Sequence, residues 1–148
     1  MNKKVIALLS SVILTAGMLV GCGSKGMKDG TYKSEFDSFD NHGWKGQVEI
    51  TVANGKITDT KFDYVNEAGD LKSKDADYQA TMTNASGIGP VEFSTQYAKA
   101  LVAKQDSEAV DTITGATTSG DDFKTLSKAA IQYANSGKTE TAVVKAAK

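Results

Sequence analysis

Three kinds of hydrophobic patterning divide this 148-residue chain. The first is a nearly continuous apolar run from Val5 to Val20, interrupted by Ser10, Ser11, Thr15 and Gly17 and preceded by Lys3 and Lys4. A membrane-spanning helix needs roughly 20 apolar residues and a secretory signal core about 7–15, so the run reads as a signal peptide, residues 1–21. The second pattern is strict alternation. Trp44, Gly46, Val48, Ile50 and Val52 interleave with Lys45, Gln47, Glu49 and Thr51, which predicts a strand with one face in the core. Asn54-Gly55 follows, the preferred pair for a two-residue type I′ hairpin, and Lys56 to Tyr64 reads as the returning strand. Regular pairing across this turn sets Val52 opposite Ile57, Ile50 opposite Asp59 and Val48 opposite Lys61, leaving Phe62 and Tyr64 on the polar face. A shift of one residue flips every side chain, so a bulge near Asp59 is expected. A shorter strand, opened by the turn Asp29-Gly30-Thr31-Tyr32, runs to about Phe36, followed by a polar, acidic loop to Gly43.

The third pattern is helical. Pro90 suits a first helical position after the tight turn Ala85–Pro90, and Phe93, Tyr97 and Leu101 recur at four-residue spacing, predicting a helix over 90–104 whose apolar face packs in the core. Phe123, Leu126, Ala130, Tyr133 and Ala134 form a second stripe in a helix expected to begin between Ser119 and Asp122. Ser119 would cap it, Asp122 would serve as an imperfect capping box, and Asn135-Ser136-Gly137 would end it. Residues 66–84 are polar and acidic and read as a long exposed loop with one turn of helix near Tyr78. Ser107 to Ile113 reads as a short strand, and Lys138 to Lys148 as a loosely ordered tail. Together these elements predict an α+β fold, a small twisted antiparallel sheet with two main helices packed on it, in one domain over residues 29–137.

Composition removes several alternatives. Cys22 and His42 are the only residues of their types, so a disulfide, a Cys-x-x-Cys-His haem attachment and a thiolate cage for zinc or iron–sulfur are excluded. His42, in an Asp-rich loop, reads as solvated. Any redox chemistry would need an organic cofactor. The formal net charge is −1 and there is no arginine; loss of Lys3 and Lys4 with the signal would make it −3. Nucleic-acid binding, which requires a basic surface, is not indicated. Leu19-Val20-Gly21-Cys22 resembles the bacterial lipobox, in which the cysteine becomes the lipidated first residue. Cys22 is then the anchor and residues 22–28 a short tether, and two acyl chains give stable attachment where one is marginal. The expected location is the outer face of the cytoplasmic membrane.

The chemistry concentrates in Asp111-Thr112-Ile113-Thr114-Gly115-Ala116-Thr117-Thr118-Ser119, a run of hydroxyls around a Gly-Ala pair too small to shield them. As residue types these are turn and N-cap formers. Their order, an Asp, two residues, Ser or Thr, then Gly-Ala-Thr, resembles the flavinylation motif of the FMN-binding domain family, with Thr114 in place of the commoner Ser. The Asp-Gly-Thr-Tyr opening and the Phe-Lys-x-Leu helix after the motif resemble lipoprotein members of the same family. The resemblance covers about Asp29 to Gly137.

By position, the resemblance implies that Thr117 carries FMN through a phosphoester bond installed by a dedicated flavin transferase. Asp111, Thr114, Gly115, Ala116 and Thr118 would form the surrounding cofactor site, with Thr118 the nearest competitor as acceptor, and Gly87 to Pro90 a second region near the flavin. The implied function is that of a tethered redox carrier, moving electrons from a quinone-linked membrane donor to extracellular acceptors such as ferric iron, with ferric or quinone reductase activity following from that role. Covalent attachment has a rationale outside the cell, where a dissociable flavin would be diluted away. The alternative is a lipoprotein binding or adhesion module that keeps the fold without the flavin.

Overall fold

A computed structural model describes residues 26–147; the signal peptide and Cys22 lie outside the described residues. The sheet is built from β1 (Gly30–Phe36), β2 (Lys45–Ala53), β3 (Lys56–Val65) and β4 (Ala142–Val144), in the order β3-β2-β1-β4. The first three strands pair antiparallel, while β4 runs parallel to β1. Three helices accompany them, α1 (Ala76–Ser86), α2 (Pro90–Lys104) and α3 (Thr117–Ser136). The fold is α+β in a single small domain.

The alternating pattern of β2 puts Val48, Ile50 and Val52 in the core, each at most 3% exposed. Asn54 adopts the positive φ of 53° that the tight turn demands, and the bulge lies beside Asp59. Val52 pairs with Ile57 but Thr51 pairs with Asp59, so Thr58 is the extra residue. This moves Thr60, Phe62 and Tyr64 onto the core face. Gln105, at the end of α2, fastens the bulged strand. Its side-chain oxygen accepts from the Ile57 N–H at 2.8 Å, and its side-chain nitrogen donates to the Ile57 carbonyl at 2.8 Å.

Helix α3 lies across β1 and β2 with Phe123, Leu126, Ala130 and Ala134 fully buried. The Ser34 hydroxyl of β1 donates to the Leu126 carbonyl at 2.8 Å inside that interface. Helix α2 covers β3, burying Phe93, Tyr97 and Leu101. The aromatic centre is Phe62, whose ring centroid lies 5.0 Å from that of Phe123 and 6.3 Å from that of Tyr97.

Four expectations are corrected. The polar stretch 66–84 contains the whole first part of helix α1 rather than one turn near Tyr78; Asp75 caps it, accepting from the Tyr78 N–H at 2.9 Å. No residue of α1 is fully buried, and only Tyr78 and Met82 pack partly against the core, too short a stripe to betray the helix in the sequence. Ser107 to Ile113 is not a strand. It turns through weak bonds from Ala109 to Asp106 and from Val110 to Ser107, and drops Val110 into the core. The tail is not loose throughout: β4 completes the sheet beside Ser34–Phe36, and the Ala146 N–H donates to the Asp37 carboxylate at 3.0 Å. Finally, α3 starts at Thr117, ahead of the expected Ser119–Asp122.

Candidate functional site

The loop from Asp111 to Ala116 is set by one buried phenol. Tyr97, 0% exposed on α2, accepts from the Ile113 N–H at 2.9 Å and donates to the Ala116 carbonyl at 3.0 Å. A single hydroxyl thereby satisfies two backbone groups on either side of the Gly115 turn, which the Ala116 N–H closes further by donating to the Ile113 carbonyl at 3.0 Å. Gly120, one turn into α3, leaves the room this hydroxyl needs, since a Cβ there would collide with it. The stripe residue Tyr97 is core, as its spacing implies, and its polar tip is the support of the motif. Removing that hydroxyl leaves the Ile113 N–H without its acceptor, while the Ala116 carbonyl keeps only the Gly120 N–H at 2.9 Å, a loss of about 1–3 kcal/mol. Tyr97→Phe is therefore expected to lower Tm by roughly 5–10 °C in a thermal melt, and an unchanged Tm would refute the clamp.

Gly115 takes φ +85°, and a Cβ on it would strike the Ser86 carbonyl oxygen at the end of α1. The motif loop therefore packs directly against the Ser86–Ile88 turn, so the two regions named from the sequence meet. Ala116 is buried and takes the N-cap position without making a side-chain capping bond. Thr117 and Thr118, the first two residues of α3, are exposed, as are Asp111 and Thr114. Ser119 is buried in the first turn rather than capping it. Asp111 pairs with Lys104 at 3.5 Å on the surface, and among the described residues it makes no hydrogen bond to the motif threonines.

This helix end has the features that receive an anion. Its first N–H groups have no intrahelical acceptor by position, no side chain caps them, and the aligned peptide dipoles leave partial positive charge there. Asp121 and Asp122 follow within the second turn and oppose that charge.

Beside these turns stands a group absent from the sequence reading. Lys72, 6% exposed, places its ammonium 4.4 Å from the centroids of Tyr64 and Tyr78 and 5.6 Å from that of Trp44. The Tyr64 hydroxyl donates to the Asp122 carboxylate at 2.8 Å, joining this group to α3. Nothing in the local sequence around Lys72 signals it, because its aromatic neighbours come from β3, α1 and the residue preceding β2.

Burial raises the pKa of Asp122 above the usual carboxylate value of 3.8; the Tyr64 hydrogen bond opposes the rise, Asp40 and Asp121 add to it, and Lys72 counters it. Burial, then the Asp122 charge, push the Tyr64 phenol upward, keeping it a donor. A carboxyl whose pKa is raised by folding binds protons more readily in the native state. Its contribution is fully present below pH 3.8 and lost as pH climbs through the raised value. Asp122→Asn, which mimics the neutral acid and can still accept from Tyr64, should match wild type near pH 4 and melt higher at pH 7. A difference in Tm that does not change with pH would contradict the assignment.

The sequence profile described as the FMN-binding domain matches residues 43–132, which contain every residue of this site. A 15 kDa lipoprotein of Treponema pallidum (strain Nichols) is 38% identical over 128 residues, covering 86% of this chain and 91% of its own length. A Clostridium perfringens protein known from a crystal structure is 43% identical with a TM-score of 0.79, over 82% of this chain and 99% of that one. A Clostridium thermocellum protein solved by NMR is 30% identical with a TM-score of 0.53, over 77% of this chain and 95% of that one.

Proposed function

Because the chain belongs to the FMN-binding domain family, we propose that it is a membrane-tethered flavoprotein carrying FMN on Thr117 through a phosphoester. In this reading it passes electrons from a quinone-linked membrane donor to extracellular acceptors such as ferric iron. The observation that carries the reading is the placement of Thr117, exposed at the first position of an uncapped helix behind a Gly-Ala step. A flavin transferase needs a protruding hydroxyl with small neighbours, and Gly115 and Ala116 meet that need. A phosphodiester keeps one negative charge, which the helix end favours. Bound FMN supplies one- and two-electron redox chemistry; the chain's part is to hold it, expose it and tune it.

The lipoprotein of Treponema pallidum supports lipid anchoring at Cys22 and hence attachment at the membrane. The domain's polarity fits such a tether. The Lys28 N–H donates to the Ala134 carbonyl at 2.9 Å, and the Lys28 ammonium to that of Ser136 at 3.3 Å, so the chain enters beside the C-terminal end of α3. Thr117 opens the other end of this 20-residue helix, roughly 30 Å away at 1.5 Å per residue. The described start of the tether and the acceptor hydroxyl lie at opposite ends of α3, which supports a reading in which the flavin faces away from the membrane.

The test is peptide mass spectrometry on lipoprotein from its native membrane. Mass corresponding to an FMN phosphoester is expected on the peptide containing Thr117, together with a diacylated Cys22. A native Thr117 peptide wholly without flavin would overturn the carrier reading.

A further inference from the structure

Among the described residues, Lys72 is the one buried lysine. Its side chain is almost wholly covered, yet among the described residues its ammonium takes part in no ion pair and no side-chain hydrogen bond. Three ring faces hold it instead, those of Trp44, Tyr64 and Tyr78. Such contacts contribute about 0.5–2 kcal/mol each by attraction of the cation to the ring quadrupole, and the carboxylate that feels its charge, Asp122, does so without a direct ion pair.

The surroundings relate this charge to the motif from two sides. Tyr64 bonds Asp122, in the second turn of the helix that Thr117 begins. Tyr78 belongs to α1, whose last residue, Ser86, lies against Gly115. Trp44 and Tyr78 meet edge to face, with centroids 5.8 Å apart, and fix the far wall. A lysine whose only role was structural would ordinarily be paired or would extend its ammonium to solvent.

We propose that Lys72 is the positioning residue that sets the flavin's redox potential, supplying the fixed positive charge toward which the ring carries its added negative charge on reduction. The proposal rests on the assignment of FMN to Thr117. The electron balance is simple. A membrane hydroquinone gives up two electrons and two protons, the flavin ring keeps both electrons and one proton, and the second proton passes to water. The reduced ring then carries one more negative charge than the oxidised ring, and a nearby ammonium favours the reduced form. The aromatic enclosure holds that ammonium in place and limits its screening by water and salt.

The experiment compares Lys72→Met, Lys72→Arg and Tyr78→Leu with wild type, each made with the flavin transferase, by three readouts: flavin occupancy of the Thr117 peptide, a thermal melt, and spectroelectrochemical titration of the bound flavin. Lys72→Met should retain flavin and shift the equilibrium toward the oxidised form by tenfold or more, a fall of at least about 30 mV for a two-electron couple. Lys72→Arg should stay near wild type, and Tyr78→Leu, which opens the enclosure without removing the charge, should fall between them. Should Lys72→Met fail to fold, Tyr78→Leu against Lys72→Arg carries the test. Flavin on Thr117 with the same potential in all four proteins overturns the role of Lys72 alone. A wild-type protein without flavin on Thr117 overturns the carrier reading and this role with it.

Discussion

Thr117→Ala is expected to abolish covalent flavin completely, while Thr118→Ala leaves occupancy close to wild type and Thr117→Ser retains part of it. Both threonines are exposed in the first turn of α3, so solvent access does not choose between them. Their surroundings do. Every Cβ on a helix tilts toward the N-terminus, so the hydroxyl at the first position leads the helix end and meets the unfilled N–H groups most directly. Residues four apart share a face, which sets Thr118 above Asp122 and Thr117 above Asp121. Asp122 is a partly buried carboxyl tied to Tyr64, whereas Asp121 is exposed, so its repulsion of a phosphate is better screened. The measurement is in-gel flavin fluorescence plus peptide mass spectrometry after coexpression with a flavin transferase. Because both side chains are exposed, each substitution should move stability by no more than about 0.5 kcal/mol. A colourless but normally melting Thr117→Ala protein would therefore report lost attachment and not lost folding. Full occupancy in that variant would move the acceptor elsewhere.

Much of this arrangement was legible because the relevant signals are local. Alternation in β2 and the Asn54-Gly55 turn determine the hairpin, and the misplacement of Phe62 and Tyr64 in regular pairing locates the bulge to within a residue of Thr58. Four-residue spacing likewise identifies the buried face of α2. What the sequence hid depends on partners distant in the chain. Helix α1 buries no residue fully, so periodicity is silent about it. The three residues of β4 gain their place only from the edge that β1 offers. Ser107 to Ile113 looks like a strand because Val110 is apolar, yet Val110 fills the core from a turn. The acceptor motif could be read residue by residue, but its support could not. Tyr97 lies 16 and 19 residues before the groups it holds, and Lys72 is enclosed by rings from three separate segments. A core stripe and a charged surface stretch were the natural readings of those two residues, and only the packing shows what their polar ends reach.

The other large effect belongs to a residue with no side chain. Gly115→Ala is expected to cost both fold stability and flavin, whereas Gly87→Ala should cost a little stability and no flavin. Both glycines hold left-handed backbone, with φ +85° and +80°, so both substitutions carry the same conformational penalty of about 1–2 kcal/mol. They differ in what surrounds them. At Gly87 an added Cβ meets nothing within 4 Å, while at Gly115 it strikes the Ser86 carbonyl oxygen and comes within 3.1 Å of Ile88 Cγ2. That carbonyl is backbone and does not yield easily, because the Ser86 hydroxyl is itself bonded to Met82 at 2.9 Å and to Ile88 at 3.1 Å. Relief must come from the motif loop, which lifts away from α1. Lifting it strains the two bonds to the Tyr97 hydroxyl, and the total cost should reach about 2–4 kcal/mol. Thermal melts should place Gly115→Ala about 10 °C below wild type and Gly87→Ala only a few degrees below. Flavin occupancy, measured well below either Tm, should fall several-fold in Gly115→Ala because Thr117 rides on the displaced loop. Equal occupancy in the two variants would mean that the contact with α1 serves folding alone, and that the transferase tolerates an acceptor loop held less firmly than this one.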